Sequence, residues 1–77
     1  MMLKNVEIYS KSNCVFCDKA KNCFKQNDIP YKEYNVEIPE VFDMLMTRNP
    51  NARTMPQIFV DDDLIGGYTD MIEWLEK

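Results

Sequence analysis

Several residue types are scarce or absent in this chain, and each absence excludes a kind of site. The 77 residues contain no histidine, two glycines, one tryptophan and three cysteines. Without histidine, the chain cannot form a catalytic cysteine–histidine pair. Three cysteines are too few to complete the four-ligand zinc sites of cysteine and histidine. We therefore expect no metal site built from this chain alone.

The chain also lacks an excess of positive charge and any long apolar run. Thirteen acidic residues outnumber nine basic ones, and the formal net charge is −4. This balance disfavours nucleic acid as a partner. No apolar run approaches the roughly 18 residues of a membrane span, and no leader pattern opens the chain. The sequence predicts one soluble, unexported domain over residues 1–77, located in the cytoplasm and free of membrane contacts.

Apolar periodicity and turn residues predict seven short elements in an α/β fold. They are a strand at 5–10, a helix at 14–27, a strand at 31–36, a helix at 39–48, a strand at 57–60, a return strand at 64–65 and a helix capped by Thr69. The first three elements form a βαβ unit with parallel strands, and the acidic triplet Asp61–Asp63 turns an antiparallel hairpin. The prediction is a four-stranded mixed sheet with three helices, in the order βαβαββα.

Cys14 and Cys17 stand in a C-x-x-C pattern between the first strand and the first helix. Unpaired backbone N–H groups and the positive end of the helix dipole favour the thiolate of a cysteine placed there. Two cysteines three positions apart on a helix are neighbours, so the second can attack a mixed disulfide formed on the first. The pattern therefore predicts a thiol redox site.

Cys23 is the third cysteine, and it stands outside this pattern. On the first helix it shares a side with Phe16, Ala20 and Phe24, the side expected to meet the sheet. Its separation of about 9 Å along the helix from Cys17 exceeds disulfide reach. We expect Cys23 to be a core residue.

Three motifs follow one another along the chain: Cys14-Val15-Phe16-Cys17 at the first helix, Thr54-Met55-Pro56-Gln57-Ile58-Phe59 before the hairpin, and Ile65-Gly66-Gly67-Tyr68-Thr69-Asp70 after it. Together they resemble the glutaredoxins. The resemblance implies a thioredoxin-like fold and a glutathione-dependent thiol-disulfide oxidoreductase that reduces protein disulfides or glutathionylated proteins. Cys14 and Cys17 are the implied catalytic residues, and glutathione is the implied co-substrate.

The resemblance also implies a set of glutathione contacts. These are Lys11, Phe16, Thr54, Met55, Pro56, Thr69 and Asp70. It places a cis peptide bond at Met55–Pro56 facing the cysteines, Lys11 at the glycine carboxylate, and Thr69 with Asp70 at the γ-glutamyl end. Each residue also has a plainer interpretation: Lys11 as a solvated charge, Thr69 as a helix cap, Asp70 as a first-turn acid. Phe16 either lines the groove or joins the core, and Arg53 either adds a charge or is solvated.

Two alternatives remain open at this point. One is a redoxin electron donor, for example to ribonucleotide reductase, that is reduced by thioredoxin reductase; the Gly66–Gly67 motif argues against it. The other is a dimer bridged by a glutathione-ligated iron–sulfur cluster, for which Val15 is permissive because the family's dithiol members commonly carry proline there. Otherwise a monomer is expected.

Overall fold

The computed structural model describes residues 4–76. Within them the chain forms four strands and three helices in the predicted order. The elements are β1 Val6–Ser10, α1 Val15–Gln26, β2 Lys32–Asn35, α2 Pro39–Arg48, β3 Gln57–Val60, β4 Asp63–Gly66 and α3 Tyr68–Leu75. The predicted βαβαββα fold is confirmed, with the ends of single elements shifted by a few residues. No helix in the described range is long and apolar enough to cross a bilayer.

The sheet has the strand order β2-β1-β3-β4. β1 runs parallel to β2, and the pairs β1–β3 and β3–β4 are antiparallel. The predicted parallel pair with a hairpin on one side is therefore confirmed. Because β1 is a central strand and runs directly into the C-x-x-C segment, the sheet fixes where α1 begins.

The two faces of the sheet carry different cores. Side chains alternate along β1, so Val6 and Ile8 face α1 and α3 while Glu7 and Tyr9 face α2. The first face buries a cluster that consists of Val6, Ile8, Ala20, Phe24, Ile58, Val60 and Met71. The second face has a smaller apolar cluster of Tyr9, Leu45 and Phe59, with half-buried residues around it. The larger apolar core thus lies on the side that holds the cysteine helix.

Arg48 fastens the last turn of α2 to the sheet. Its guanidinium donates to Tyr9 Oη at 3.1 Å, to Glu7 Oε1 at 3.0 Å and to Asp62 Oδ1 at 3.1 Å. The same group lies 4.0 Å from the ring centre of Phe59. A planar guanidinium suits this combination of forked donation and stacking. Arg48 therefore adds a charged attachment where the apolar core is small.

Candidate active site

Cys14 is the N-cap residue of α1, and it is joined to Cys17 by a disulfide. Their Cα atoms are 5.2 Å apart. The backbone N–H of Cys17 donates to Cys14 Sγ at 3.1 Å, so the sulfur takes the place of the oxygen in an ordinary helix cap. The first turn of the helix therefore points an N–H group at this sulfur, which favours negative charge on it after reduction.

The two sulfurs differ in accessibility. Cys14 retains 8% of its surface, whereas Cys17 is fully buried. Cys17 lies on the inner side of α1 with Ala20 and Phe24, against the larger core. An incoming thiol or disulfide can therefore reach Cys14 and not Cys17.

Met55 and Pro56 form the wall opposite the cysteines. The Met55–Pro56 peptide bond is cis, as the resemblance implied. Cys14 Sγ lies 3.6 Å from the carbonyl oxygen of Met55. The side-chain amide of Gln57 donates to the Thr54 carbonyl at 2.7 Å and holds the turn that leads into β3. Backbone groups are thus brought beside the accessible sulfur.

A groove of about 360 Å³ extends from this wall to the start of α3. Its lining consists of Phe16, Thr54, Met55, Pro56, Gly67, Tyr68, Thr69 and Asp70. The structure thus brings together six of the seven residues that the resemblance implied as glutathione contacts. Lys11 is not among the lining residues. Gly67 and Tyr68 also line the groove and were not among the predicted contacts, although both stand in the motif that carries the resemblance.

Phe16 lies on the groove side, which resolves the alternative left open by the sequence. Its side chain is 53% exposed. Its ring centre lies 5.6 Å from that of Tyr68, and Lys19 Nζ lies 5.3 Å from the Phe16 ring. Phe16 therefore links the cysteine end of the groove to the first turn of α3.

The start of α3 corrects the prediction that Thr69 is its N-cap. The helix begins at Tyr68, Gly67 is the N-cap, and Thr69 lies within the first turn. Asp70 Oδ2 accepts from the backbone N–H of Gly67 at 3.2 Å. An aspartate three residues after the cap can close the turn without a hydroxyl, so the cap lies two residues earlier than the threonine suggests. Thr69 and Asp70 nevertheless both border the groove.

Lys11 and Arg53 lie outside the groove, in exposed positions. The neighbouring Ser12 hydroxyl donates to Glu37 Oε1 at 2.8 Å, which ties the loop before Cys14 to the residue preceding the cap of α2. The Ser12 hydroxyl, and to a smaller degree the charge of Lys11, hold the pKa of Glu37 below its usual range. The loop that presents Cys14 therefore carries the positive charge of Lys11 and is in contact with the negative charge of Glu37.

Cys23 is half-buried rather than fully buried, which corrects its predicted position. The buried line of α1 runs through Cys17, Ala20 and Phe24, and Cys23 lies beside it while still packing against the larger core. The sequence pattern placed Phe16 and Cys23 on the inner side of the helix. Phe16 instead lines the groove, so the inner side lies away from both residues. Within residues 4–76, no three cysteine, aspartate or glutamate side chains are grouped so that they could hold a metal ion.

Comparisons with known proteins agree with this geometry. The sequence model of the family described as Glutaredoxin matches residues 6–65. A probable glutaredoxin from Synechocystis sp. is 36% identical over 67 residues, which are 86% of this chain and 76% of that protein. The crystal structure of glutaredoxin 1 from Francisella tularensis, complexed with cacodylate, has a TM-score of 0.75 and 28% identity, and the match covers 96% of this chain and 99% of that one.

A second solved structure adds a likeness of fold alone. The crystal structure of a buckwheat glutaredoxin–glutathione complex has a TM-score of 0.79 at 22% identity, covering 95% of this chain and 69% of that one. The matched range of the family model contains both cysteines and the cis proline, and it ends at Ile65, before the start of α3. The chain therefore belongs to the glutaredoxin family, and it is a thiol-disulfide oxidoreductase with a redox-active Cys14–Cys17 disulfide.

Proposed function

We propose that this oxidoreductase uses glutathione to reduce protein disulfides and glutathionylated proteins, with Cys14 as the attacking sulfur and Cys17 as the resolving one. The observation that carries the proposal is the accessible Cys14 sulfur beside the cis-proline wall of a groove of about 360 Å³. A groove of this size accommodates a small peptide that lies across the reactive sulfur. The buried Cys17 is placed to act only after Cys14 has reacted.

The first half of the cycle reduces the client. The Cys14 thiolate attacks one sulfur of a protein disulfide, forms a mixed disulfide and releases the other sulfur as a thiolate that takes up a proton. The Cys17 thiolate then attacks the Cys14 sulfur, the client leaves as a thiol, and the Cys14–Cys17 disulfide forms. Two electrons have moved from the cysteine pair to the client.

The second half restores the cysteine pair. One glutathione thiolate attacks Cys14 Sγ and forms a mixed disulfide, and Cys17 leaves as a thiolate. A second glutathione attacks the sulfur of the bound one, and glutathione disulfide leaves together with the Cys14 thiolate. For a glutathionylated client, Cys14 attacks the glutathione sulfur directly and the client thiol is released, so that route does not need Cys17.

Complementary groups for the γ-glutamyl end of glutathione lie inside the groove, and a charge for the glycine end lies outside it. At the α3 end, Asp70 Oδ2 accepts from the Gly67 N–H, and Oδ1 accepts no hydrogen bond from residues 4–76. That oxygen is suited to an α-amino group, and the N–H groups of the first turn of α3 are suited to an α-carboxylate. Lys11 lies beyond the lined groove, and we propose that it acts on the glycine carboxylate at longer range.

The proposal is tested by measuring the rate of glutathione-dependent reduction of a glutathionylated peptide. The reaction is coupled to glutathione reductase, and the consumption of NADPH is recorded. We expect Cys14→Ser to be inactive and Cys17→Ser to remain active on this substrate while losing most reduction of protein disulfides. Cys23→Ser is the matched cysteine control and should behave as the unmodified protein. Activity of Cys14→Ser together with inactivity of Cys17→Ser would contradict the assigned roles.

The same assay separates the reductants and the clients. Replacing glutathione and its reductase by thioredoxin reductase should give little turnover; efficient turnover there would favour the electron-donor alternative. On the family resemblance, we propose that the clients are disulfide-containing proteins, with ribonucleotide reductase among them. We also propose a cytoplasmic location and a role in electron transport.

A further inference from the structure

Glu37 is anchored beside the loop that presents Cys14. Its side chain accepts from the Ser12 hydroxyl at 2.8 Å, and its backbone N–H donates to Asn35 Oδ1 at 2.9 Å. Hydrogen bonds at both the backbone and the carboxylate keep this charge next to residue 12 in the folded protein. Because Ser12 follows Lys11 directly in the chain, the carboxylate is held close to the Lys11 end of the site.

The proximity of Glu37 and Lys11 does not amount to an ion pair. No ion pair within 4.0 Å joins these two residues in the part of the chain that the structure describes. Lys11 nevertheless contributes to keeping the pKa of Glu37 low, after the larger contribution of Ser12. The ammonium therefore remains available to a ligand, while a fixed negative charge weakens its attraction for anions.

We propose that Glu37 is a specificity-determining residue that disfavours a free carboxylate at the Lys11 end and so shifts the site towards polypeptide substrates. This inference rests on the proposed function, in which glutathione occupies the groove. Glutathione ends in a carboxylate one residue after its cysteine, whereas a protein continues there as a neutral amide. Repulsion by Glu37 therefore acts on glutathione, whether free or attached to a client, and does not act on a polypeptide chain that continues there as an amide.

The expected size of the effect is modest because the charges are exposed. Interactions between exposed charges correspond to roughly a two- to fivefold change in affinity. They also decrease as salt screens them, since the screening length falls to about 3 Å at 1 M salt. The modest size and the salt dependence of the effect distinguish direct charge repulsion from an effect of the substitution on the fold.

The experiment compares two substrates on two variants. The first substrate is a peptide that carries glutathione on its single cysteine. The second is the same peptide carrying a glutathione whose glycine carboxylate has been converted to an amide. Glu37→Gln removes the charge and keeps an oxygen that can accept from Ser12. Glu40→Gln removes an exposed charge from the same region and is the matched control. Single turnovers with the reduced protein in excess give the half-saturation concentration for each pair.

We expect Glu37→Gln to lower the half-saturation concentration roughly two- to fivefold for the glutathione substrate and to leave that for the amide unchanged. The difference should disappear at about 1 M salt, and Glu40→Gln should match the unmodified protein. An unchanged value for Glu37→Gln, or an equal change for both substrates, would overturn the proposal while leaving the glutathione groove intact. If the unmodified protein showed no saturation by the glutathionylated peptide, the proposed function would fail, and this inference with it.

Discussion

The substitution Gly66→Ala would place a methyl group where the Asp70 side chain now lies. A Cβ built on Gly66 overlaps Asp70 Oδ2 and lies 2.7 Å from Asp70 Cγ. Gly66 also has a φ of +125°, a backbone conformation that residues with a side chain rarely adopt. The variant must therefore shift either the backbone before α3 or the carboxylate that closes the first turn.

Two contributions set the expected loss of stability. Holding a residue with a side chain in this backbone region costs about 1–3 kcal/mol. Displacing Asp70 removes its hydrogen bond to the Gly67 N–H, and loss of a helix cap costs about 1 kcal/mol. Their sum of about 2–4 kcal/mol is a substantial part of the roughly 4–12 kcal/mol expected for a chain of this size. The variant should fold, with a lower midpoint of urea unfolding.

The same displacement should weaken glutathione recognition. If Asp70 binds the α-amino group, moving its carboxylate should raise KM for a glutathionylated peptide on the order of tenfold. This is the lower end of the range expected for losing a hydrogen bond to a charged group, because Asp70 is exposed. Gly67→Ala is the matched control for stability. Its Cβ would lie 3.6 Å from the Pro56 carbonyl oxygen, which is an ordinary contact. Stability should therefore change by less than about 1 kcal/mol in that variant.

Urea unfolding and steady-state kinetics together check this reasoning. Replacing Asp70 by alanine in the Gly66→Ala background should cause little further loss of stability, because the cap supplied by Asp70 is already lost there. It should not recover KM. Unfolding midpoints and KM values equal to those of the unmodified protein would show that the Gly66–Asp70 contact does not constrain the site.

Three further outcomes are expected. Cys23→Ala should keep full activity and lose no more than about 1 kcal/mol of unfolding free energy, as for small deletions at half-buried positions, and a large loss of activity with intact circular dichroism would contradict this. The pKa of Glu33 is lowered by its hydrogen bond from Lys21, so its stabilising contribution is present at neutral pH and lost as pH falls through that depressed pKa. Unfolding midpoints measured across acidic pH should therefore depend less on pH in Glu33→Gln. Asp70→Ala should raise KM for a glutathionylated peptide more than Lys11→Ala does, because only Asp70 lines the groove; the reverse order in steady-state kinetics would refute this.

Much of the fold could be predicted because local signals and chain length agree. The bounds of α2 follow from proline in its first turn and from the polar residues after Arg48, and the structure places them at Pro39–Arg48. The parallel and antiparallel pairings follow from the βαβ unit and the acidic turn. These features depend on neighbouring residues, which a sequence shows directly.

The details that the sequence could not supply depend on contacts between distant segments. Thr69 is a reasonable cap by its chemistry, but Asp70 closes the turn onto Gly67. Cys17, rather than Cys23, lies on the fully buried side of α1, because Phe16 turns towards Tyr68. A helical repeat indicates that one side is apolar, while the partner helix decides which residues occupy the centre of that side.

Arg48 gives the two sides of the sheet unequal resistance to partial opening. The α2 side has one fully buried helix residue, Leu45, and depends on the guanidinium bonds to Glu7 and Asp62. High salt screens the exposed pair with Asp62 without weakening the apolar core under α1. The amide hydrogens of α2 should then exchange with solvent before those of α1, in an opening that leaves the cysteine helix folded. Because Glu37 precedes this helix, such an opening would also release the charge that is held against the active-site loop.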